Sequence, residues 1–574
     1  MKPDTAYNMK KSLLLLMALA FTASLPAQER EIPEKQKMHF EVPDARSEYS
    51  RPEKAETSPA YKYTGSGIFT TQVNVNADGN NILGDAANEP TIAVDPTNPD
   101  RMMMGWRQFD DVGSSFRQAG YGYSTDGGQS WTFPGSIQPG AFRSDPVLDV
   151  DADGCFYYNS LSVTSSEDFF CTVFKTTSDG FEWDNGTFAH GGDKQWMRID
   201  RSGGAGTGHN YSFWTRFYSW CYPGFFTRST NLGISYEPCI QVTGTPYWGT
   251  LAIGPEGELY IVGGGNDDDI MIIRSDNAQV PGSTIEWLDY SAVDLGGYVW
   301  GWSPVNPQGL LGQVWVDVDV SDGPGRGNVY VLASVVHPPN DPADVMFARS
   351  TDGGLSWDPP QRINDDPAPG RYQWFGTMSV APNGRIDAAW LDTRVDPSNG
   401  YQSALFYSFS VDQGLTWSVN EQLSPAFDPH LGWPQQEKMG DYFHMVSDDG
   451  GAHLAWCNTL NGEQDVYYSY ITPTGVGAGE ITAGREFAGL TAAPNPFGQK
   501  ARLRYTLGAQ AHVRLVVYDI FGKEVAALVD RVEAAGTHTV WFYGEGLPAG
   551  LYFARLSAGN RHESLRLVVT GHGY

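Results

Sequence analysis

Three carboxylates and a phenol stand where acid-base chemistry is easily arranged, at the starts of short apolar runs that recur along the chain. Asp145 opens Ser144-Asp145-Pro146-Val147-Leu148, Asp193 opens Asp193-Lys194-Gln195-Trp196-Met197, and Asp441 with Tyr442 opens Gly440-Asp441-Tyr442-Phe443. Similar openings carry Glu89, Lys194, Trp196, Trp248, Arg371 and Trp374, and the ends of neighbouring runs carry Arg107 and Arg394. Carboxylates move protons, Arg holds an anionic group through paired N–H donors, and an indole face stacks on the C–H face of a sugar ring. The mix predicts a glycan site. Its candidate catalytic groups are Asp145, Asp193, Asp441 and Tyr442, and its candidate binding groups are Glu89, Arg107, Lys194, Trp196, Trp248, Arg371, Trp374 and Arg394. Each is equally open to a structural role, lining a channel or bracing a loop.

Such a site needs a scaffold that brings distant openings to one place, and a repeated phrase supplies it. Ser124-Thr125-Asp126-Gly127-Gly128-Gln129-Ser130-Trp131 recurs as Ser350-Thr351-Asp352-Gly353-Gly354-Leu355-Ser356-Trp357 and Ser410-Val411-Asp412-Gln413-Gly414-Leu415-Thr416-Trp417. Weaker copies lie at Thr177 to Trp183 and Ser229 to Tyr236, with a stretched remnant from Ser275 to Trp287. The Asp side chain bonds its own backbone across a tight turn, Gly supplies a positive φ, and Trp covers the hairpin base. Recurrence at roughly 45 to 75 residues is the period of four-stranded propeller blades. Seven blade openings are found, at Asn88, Ser144, Asp193, Trp248, Gln313, Gln373 and Gly440, and six remain possible. In a blade the repeated turns lie at the far ends of strands three and four, while the openings gather on the opposite rim. Asp126, Asp352 and Asp412 are therefore expected to be structural.

The repeated turn resembles the Asp-box, or BNR, repeat of the sialidase superfamily over about residues 84 to 472. The resemblance implies an all-β propeller and a glycoside hydrolase of anionic sugars. It also implies an Arg-Ile-Pro motif on the first inner strand, where this chain has Glu89-Pro90-Thr91-Ile92. Two other functions stay open: a non-catalytic surface propeller that binds glycan or protein, and a polysaccharide lyase using Tyr or one of His209, His337, His430 and His444.

A second resemblance lies near the end of the chain. Pro494-Asn495-Pro496-Phe497, Val517-Tyr518-Asp519-Ile520-Phe521-Gly522-Lys523-Glu524-Val525 and Leu547-Pro548-Ala549-Gly550-Leu551-Tyr552 resemble the C-terminal sorting domain of the type IX secretion system. That likeness implies a small Ig-like β-sandwich, a partnership with the type IX machinery and export through the outer membrane, to be secreted or held at the cell surface. Lys10, Lys11 and the apolar run Leu13 to Phe21 read as a signal peptide over 1–27. The expected order is then a flexible lead-in over 28–80, the propeller over 81–472, a Gly-rich linker over 473–491 and the sandwich over 492–570.

A formal charge of -29 argues against non-specific binding to nucleic acid or to an anionic membrane surface. No apolar run after the leader approaches the ~20 residues that span a bilayer, so the mature chain is expected to have no transmembrane segment. Of five Cys, Cys221 and Cys239 are expected to pair, while Cys155 and Cys171 are not. No cofactor is required by this chemistry and no metal ligand spacing is evident. Asp149-Val150-Asp151-Ala152-Asp153-Gly154 mimics the start of a calcium loop, and Asp267-Asp268-Asp269 is a second calcium candidate, but the first reads better as a hairpin.

Overall fold

The computed structural model describes residues 55–474 and 488–570, apart from 165–167, 178, 266–268, 338–340, 368, 397, 399, 508–510, 521–522, 535 and 559–560. The expected signal peptide, most of the expected linker, and Asp267 and Asp268 lie outside the described residues. Among the described residues the regular structure is β-strand, apart from the single 3-10 turns Arg216–Tyr218 and Thr393–Val395.

Seven strands form the inner wall of a ring: Ala86–Val94, Ser144–Val150, Trp196–Ile199, Leu251–Ile253, Trp315–Val318, Gln373–Val380 and His444–Ser447. Each touches the next, and the last touches the first. From each, an antiparallel sheet meanders outward. The seventh sheet is completed from the other end of the chain, because Ile68–Gln72 pairs with Asp465–Ile471 and Lys62–Gly65 pairs outside it. The lead-in expected over 28–80 is thus, from Thr57 on, part of the folded wheel. Its pairing satisfies the backbone groups that the seventh sheet would otherwise leave at an edge.

Side chains lock the junctions between inner strands. Thr91 Oγ1 accepts from Leu148 N (3.1 Å) and donates to Pro146 O (3.3 Å), and Thr250 does the same with Val316 N (3.0 Å) and Val314 O (3.1 Å). Asp149 accepts from Ile199 N, Asp317 from Val380 N and Ser379 from Ser447 N. Arg198 Nε donates to Leu251 O, and Ile92 N donates to His444 Nδ1, closing the circuit. Every junction has at least one such bond.

The repeated turns behave as expected. Asp126 accepts from Ser130 N (3.0 Å) and Ser130 Oγ (2.6 Å), and Asp352 and Asp412 repeat the pattern with Ser356 and Thr416. The Ser356 hydrogen bonds hold the Asp352 carboxyl down at about 2. In the calcium-like segment, Asp149 accepts from Val150 N and Ile199 N, and Asp151 from Asp153 N and Cys155 N. Those oxygens hold backbone in a hairpin.

Cys221 and Cys239 form a disulfide, while Cys155 and Cys171 are free thiols. The C-terminal sandwich has two sheets. One is built from Ala488–Ala493, Lys500–Leu507 and Gly536–Tyr543, the other from Glu524–Glu533, Ala511–Asp519, Gly550–Ala558 and Arg561–Val569. Leu503, Leu515, Val517, Leu556 and Leu567 lie in the core between them.

Candidate functional site

A backbone device aims the blade openings. Glu89, Asp145, Lys194, Trp248 and Phe375 all adopt left-handed φ values between 45° and 58°, and Gly312 and Gly440 occupy the corresponding places in the fifth and seventh sheets at 138° and 97°. A left-handed non-glycine residue costs on the order of 1 kcal/mol or more, so five of them at equivalent places form a repeated, strained feature. Strand pairing shifts register at these points, between Asn88 and Thr91 and between Trp374 and Thr377. Glycine is required at 440, where a Cβ would lie 2.5 Å from Glu89 Cγ and 3.0 Å from its backbone nitrogen.

The openings bring charges together at one end of the axis. Glu89, Asp145, Asp193 and Asp441 are buried there with Arg107, Arg117, Lys194 and Lys438. Arg107 Nε lies 3.2 Å from Glu89 Oε2 and donates to Asn88 Oδ1 at 2.8 Å. Lys438 Nζ lies 2.9 Å from Asp441 Oδ2 and 3.5 Å from Glu89 Oε1, and Lys194 Nζ donates to the same Asp441 oxygen. Lys194 N donates to Asp145 Oδ2 at 3.1 Å. Arg117 Nε donates to Ser144 Oγ, which donates to Asp145 Oδ1.

Burial and charge push these groups apart. Burial raises Glu89 and Asp193 to about 7 each. Asp145 is pushed up by burial too, but Lys194, Arg107 and Lys438 outweigh this and hold it below the usual carboxylate range. Burial lowers Arg117 to about 9 and lowers Lys438, whereas Asp441, Asp145 and Asp193 overcome burial at Lys194 and raise it. Divergent proton affinities in one cluster are what acid-base chemistry requires.

Lower on the axis lies an aromatic plug. Trp196 meets Trp315, Tyr442 and His444 edge-on at 5.1, 5.3 and 5.6 Å between ring centroids, and Trp315 stacks on His444. Tyr442 donates its hydroxyl to Pro146 O at 2.9 Å, and burial raises it well above its ordinary range. His444 is held neutral by burial. Beyond the plug, at the end that carries the repeated turns, lies an open cavity of about 720 Å³. All seven inner strands contribute to its lining, among them Asp149, Arg198, Asp317 and Ser379.

The opposite, hub end is covered. The hairpin of Gly301–Ser303 and Asn306–Leu310 lies against the seventh opening, with Leu310 N donating to Asp441 Oδ1 (2.9 Å) and Asn306 bonded to Gly440 O and Met439 N.

Of the expected site residues, Glu89, Arg107, Asp145, Asp193, Lys194 and Asp441 meet in the hub cluster, with Trp196 and Tyr442 one layer below. Four others are placed elsewhere. Trp248 is buried edge-on against Tyr247, and Trp374 packs on Phe375 and donates to Ser403 Oγ, so neither offers an open ring face. Arg394 bonds to Asp392, Asp365 and Asn420 and lies over the Phe406 ring, and Arg371 sits in the loop beside Gly400. Arg117 and Lys438 were not expected at the hub. The start of a third strand and the residues just before an opening share that rim, a placement the blade geometry would have allowed.

No family model matches the chain, and no curated protein matches it. Among solved structures, Hadza microbial sialidase Hz136 is 12% identical with a TM-score of 0.35, the match covering 65% of this chain and 76% of that one. A Penicillium chrysogenum alpha-L-arabinanase complexed with arabinobiose is 12% identical over 73% and 98%, with a TM-score of 0.35. A Trypanosoma rangeli sialidase in complex with the inhibitor DANA is 10% identical over 88% and 90%, with a TM-score of 0.34. At these values the likeness carries no argument about chemistry, and the fold stands on the connectivity of the sheets.

Proposed function

We propose that this chain is a secreted propeller that acts on extracellular glycans and hydrolyses a glycosidic bond of an anionic sugar at its hub. The observation that carries this reading is a single cluster in which Asp193 and Glu89 keep a proton up to about 7 while Asp145 is held as an anion. A glycoside hydrolase needs such a pair, one carboxyl to protonate the leaving oxygen and one carboxylate to act at the anomeric carbon or on a water. Asp193 takes the first role and Asp145 the second. Arg107, Arg117 and Lys438 supply the positive field for an acidic substituent, and the Gly301–Leu310 region must move aside for a sugar to enter. The two-sheet form of the C-terminal module supports its reading as a type IX sorting domain, and the leader over 1–27 supports export.

One observation favours a second reading, a non-catalytic binding propeller. Asp441 already accepts from Lys194, Lys438 and Leu310 N, and the cluster balances four acids with four cations. The test is to incubate the full mature chain with sialylated, uronate-bearing and neutral glycans and to follow product by mass. Turnover lost in both Asp193→Asn and Asp145→Asn supports hydrolysis at the hub. Binding without turnover moves the conclusion to the binding propeller, and an unsaturated uronate product moves it to a lyase.

A further inference from the structure

The open cavity lies at the other end of the axis from the hub, and nothing in the proposed hydrolysis uses it. Strand alternation explains its floor. Trp196 and Arg198 stand two residues apart on the third inner strand, so one face contributes a ring to the plug and a guanidinium to the cavity, while Lys194, at the left-handed step just before the strand, reaches the hub. The fifth inner strand repeats this with Trp315 in the plug and Asp317 in the cavity.

We propose that this cavity is a separate binding site for a sugar acid, a small polyhydroxylated carboxylate. Arg198 makes one hydrogen bond within the protein, from Nε to Leu251 O at 3.3 Å, and its charge acts on Asp317 of the same cavity, while neither Nη group makes a hydrogen bond among the described residues. Two parallel N–H donors of that kind match a carboxylate. Ser447 is also part of the cavity wall, and its Oγ, buried within that wall, has no hydrogen-bond partner among the described residues. Asp317 accepts one backbone N–H at each oxygen, from Val318 (2.9 Å) and Val380 (2.8 Å), which leaves each oxygen a further lone pair for a hydroxyl donor. Ile92, Ile253 and Val380 give apolar wall for the C–H faces of a ring, and the cavity volume of about 720 Å³ falls within the range of small-ligand pockets.

The test is calorimetric titration of the full mature chain with D-glucuronate, D-glucose and inorganic phosphate, backed by the fluorescence of Trp196 and Trp315 beneath the floor. Saturable binding of glucuronate, with glucose and phosphate each at least about tenfold weaker, is expected. Arg198→Leu is expected to weaken glucuronate by about tenfold or more, the loss of a charged hydrogen-bonded pair, and Arg198→Lys to recover only part of it. The hub variant Asp145→Asn is expected to leave it unchanged. The proposal is overturned if glucuronate does not bind, if glucose or phosphate binds equally well, if both Arg198 variants bind like the parent while folding normally, or if Asp145→Asn removes binding. Because this site does not rest on hub chemistry, glycan turnover can fail while glucuronate binding stands, and the reverse.

Discussion

Lys194 and Asp441 form an ion pair across the hub, joining the third and seventh sheets from positions 247 residues apart in sequence, with both side chains fully buried. A charge pair in such a place is favourable only while both members are present. Lys194→Met is expected to cost about 3–5 kcal/mol, because it removes one member of a buried ion pair and leaves the Asp441 carboxylate short of a cation. Adding Asp441→Leu to Lys194→Met is expected to restore part of that loss, and a double-mutant cycle from denaturant melts measures it. Equal, additive losses would show that the two residues act separately.

Glu89 and Asp193 give the wheel a pH dependence of unusual sign. Their folded values, raised to about 7, exceed the ordinary values of 4.5 and 3.8, so the folded chain holds protons that the unfolded chain has released. Stability from these two groups is full below about pH 4 and is lost as pH rises through about 7, on the order of a few kcal/mol in all. Asp145 and Asp352 are held below their ordinary values and work the other way, losing their contribution in acid. Thermal melts are therefore expected to be highest near pH 5 and to fall towards pH 8, with Asp193→Asn flattening the fall. A melting temperature that rises from pH 5 to pH 8 contradicts this.

Thr250 serves one neighbour twice, accepting from Val316 N and donating to Val314 O. Thr250→Val keeps the shape but leaves two buried backbone groups without partners, at an expected loss of about 1–3 kcal/mol. Thr250→Ser keeps the hydroxyl and is expected to lose less. Thr91→Val is expected to cost less than Thr250→Val, since Pro146 O still accepts from the Tyr442 hydroxyl and only Leu148 N loses its side-chain acceptor.

The Cys221–Cys239 disulfide closes a loop with a sequence separation of 18. The paired substitution Cys221→Ser with Cys239→Ser is expected to lower stability by about 3 kcal/mol, which melts with and without reductant on parent and variant would measure.

Much of this architecture is legible in residue order, and for a physical reason. In turns such as Ser124 to Trp131 the Asp126 carboxylate and the Trp131 indole find their hydrogen-bond partners within eight residues, so the side-chain chemistry is local and the face is determined once blades are assumed. The hub was partly legible because Asp145 and Lys194 sit at a repeated left-handed step that turns the chain towards the axis. What stayed hidden depended on partners far away in sequence. Lys438 reaches Glu89, Arg394 is held by Asp365 and Asn420, and Ile68–Gln72 finds its place only against Asp465–Ile471. The cover over the hub was hidden for the same reason, since Gly301–Leu310 has no repeat to announce it.

Asn306 is the hook that holds that cover. Its Nδ2 donates to Leu310 O (2.7 Å) and Gly440 O (2.8 Å), and its Oδ1 accepts from Met439 N (2.9 Å), all within buried surroundings. Asn306→Ala removes these bonds without touching the hub charges, so the wheel should persist while the hairpin loosens. Hydrogen exchange at the Leu310 and Met439 amides is expected to speed by about tenfold or more, the equivalent of losing ~1.4 kcal/mol of local protection, while the Val316 and Leu148 amides in the ring stay slow. If the cover controls entry to the hub, any glycan turnover should show a changed KM in this variant at nearly constant melting temperature. Unchanged exchange at Leu310 would mean that Asn306 does not hold the hairpin, and faster exchange around the whole ring would mean that it braces the wheel.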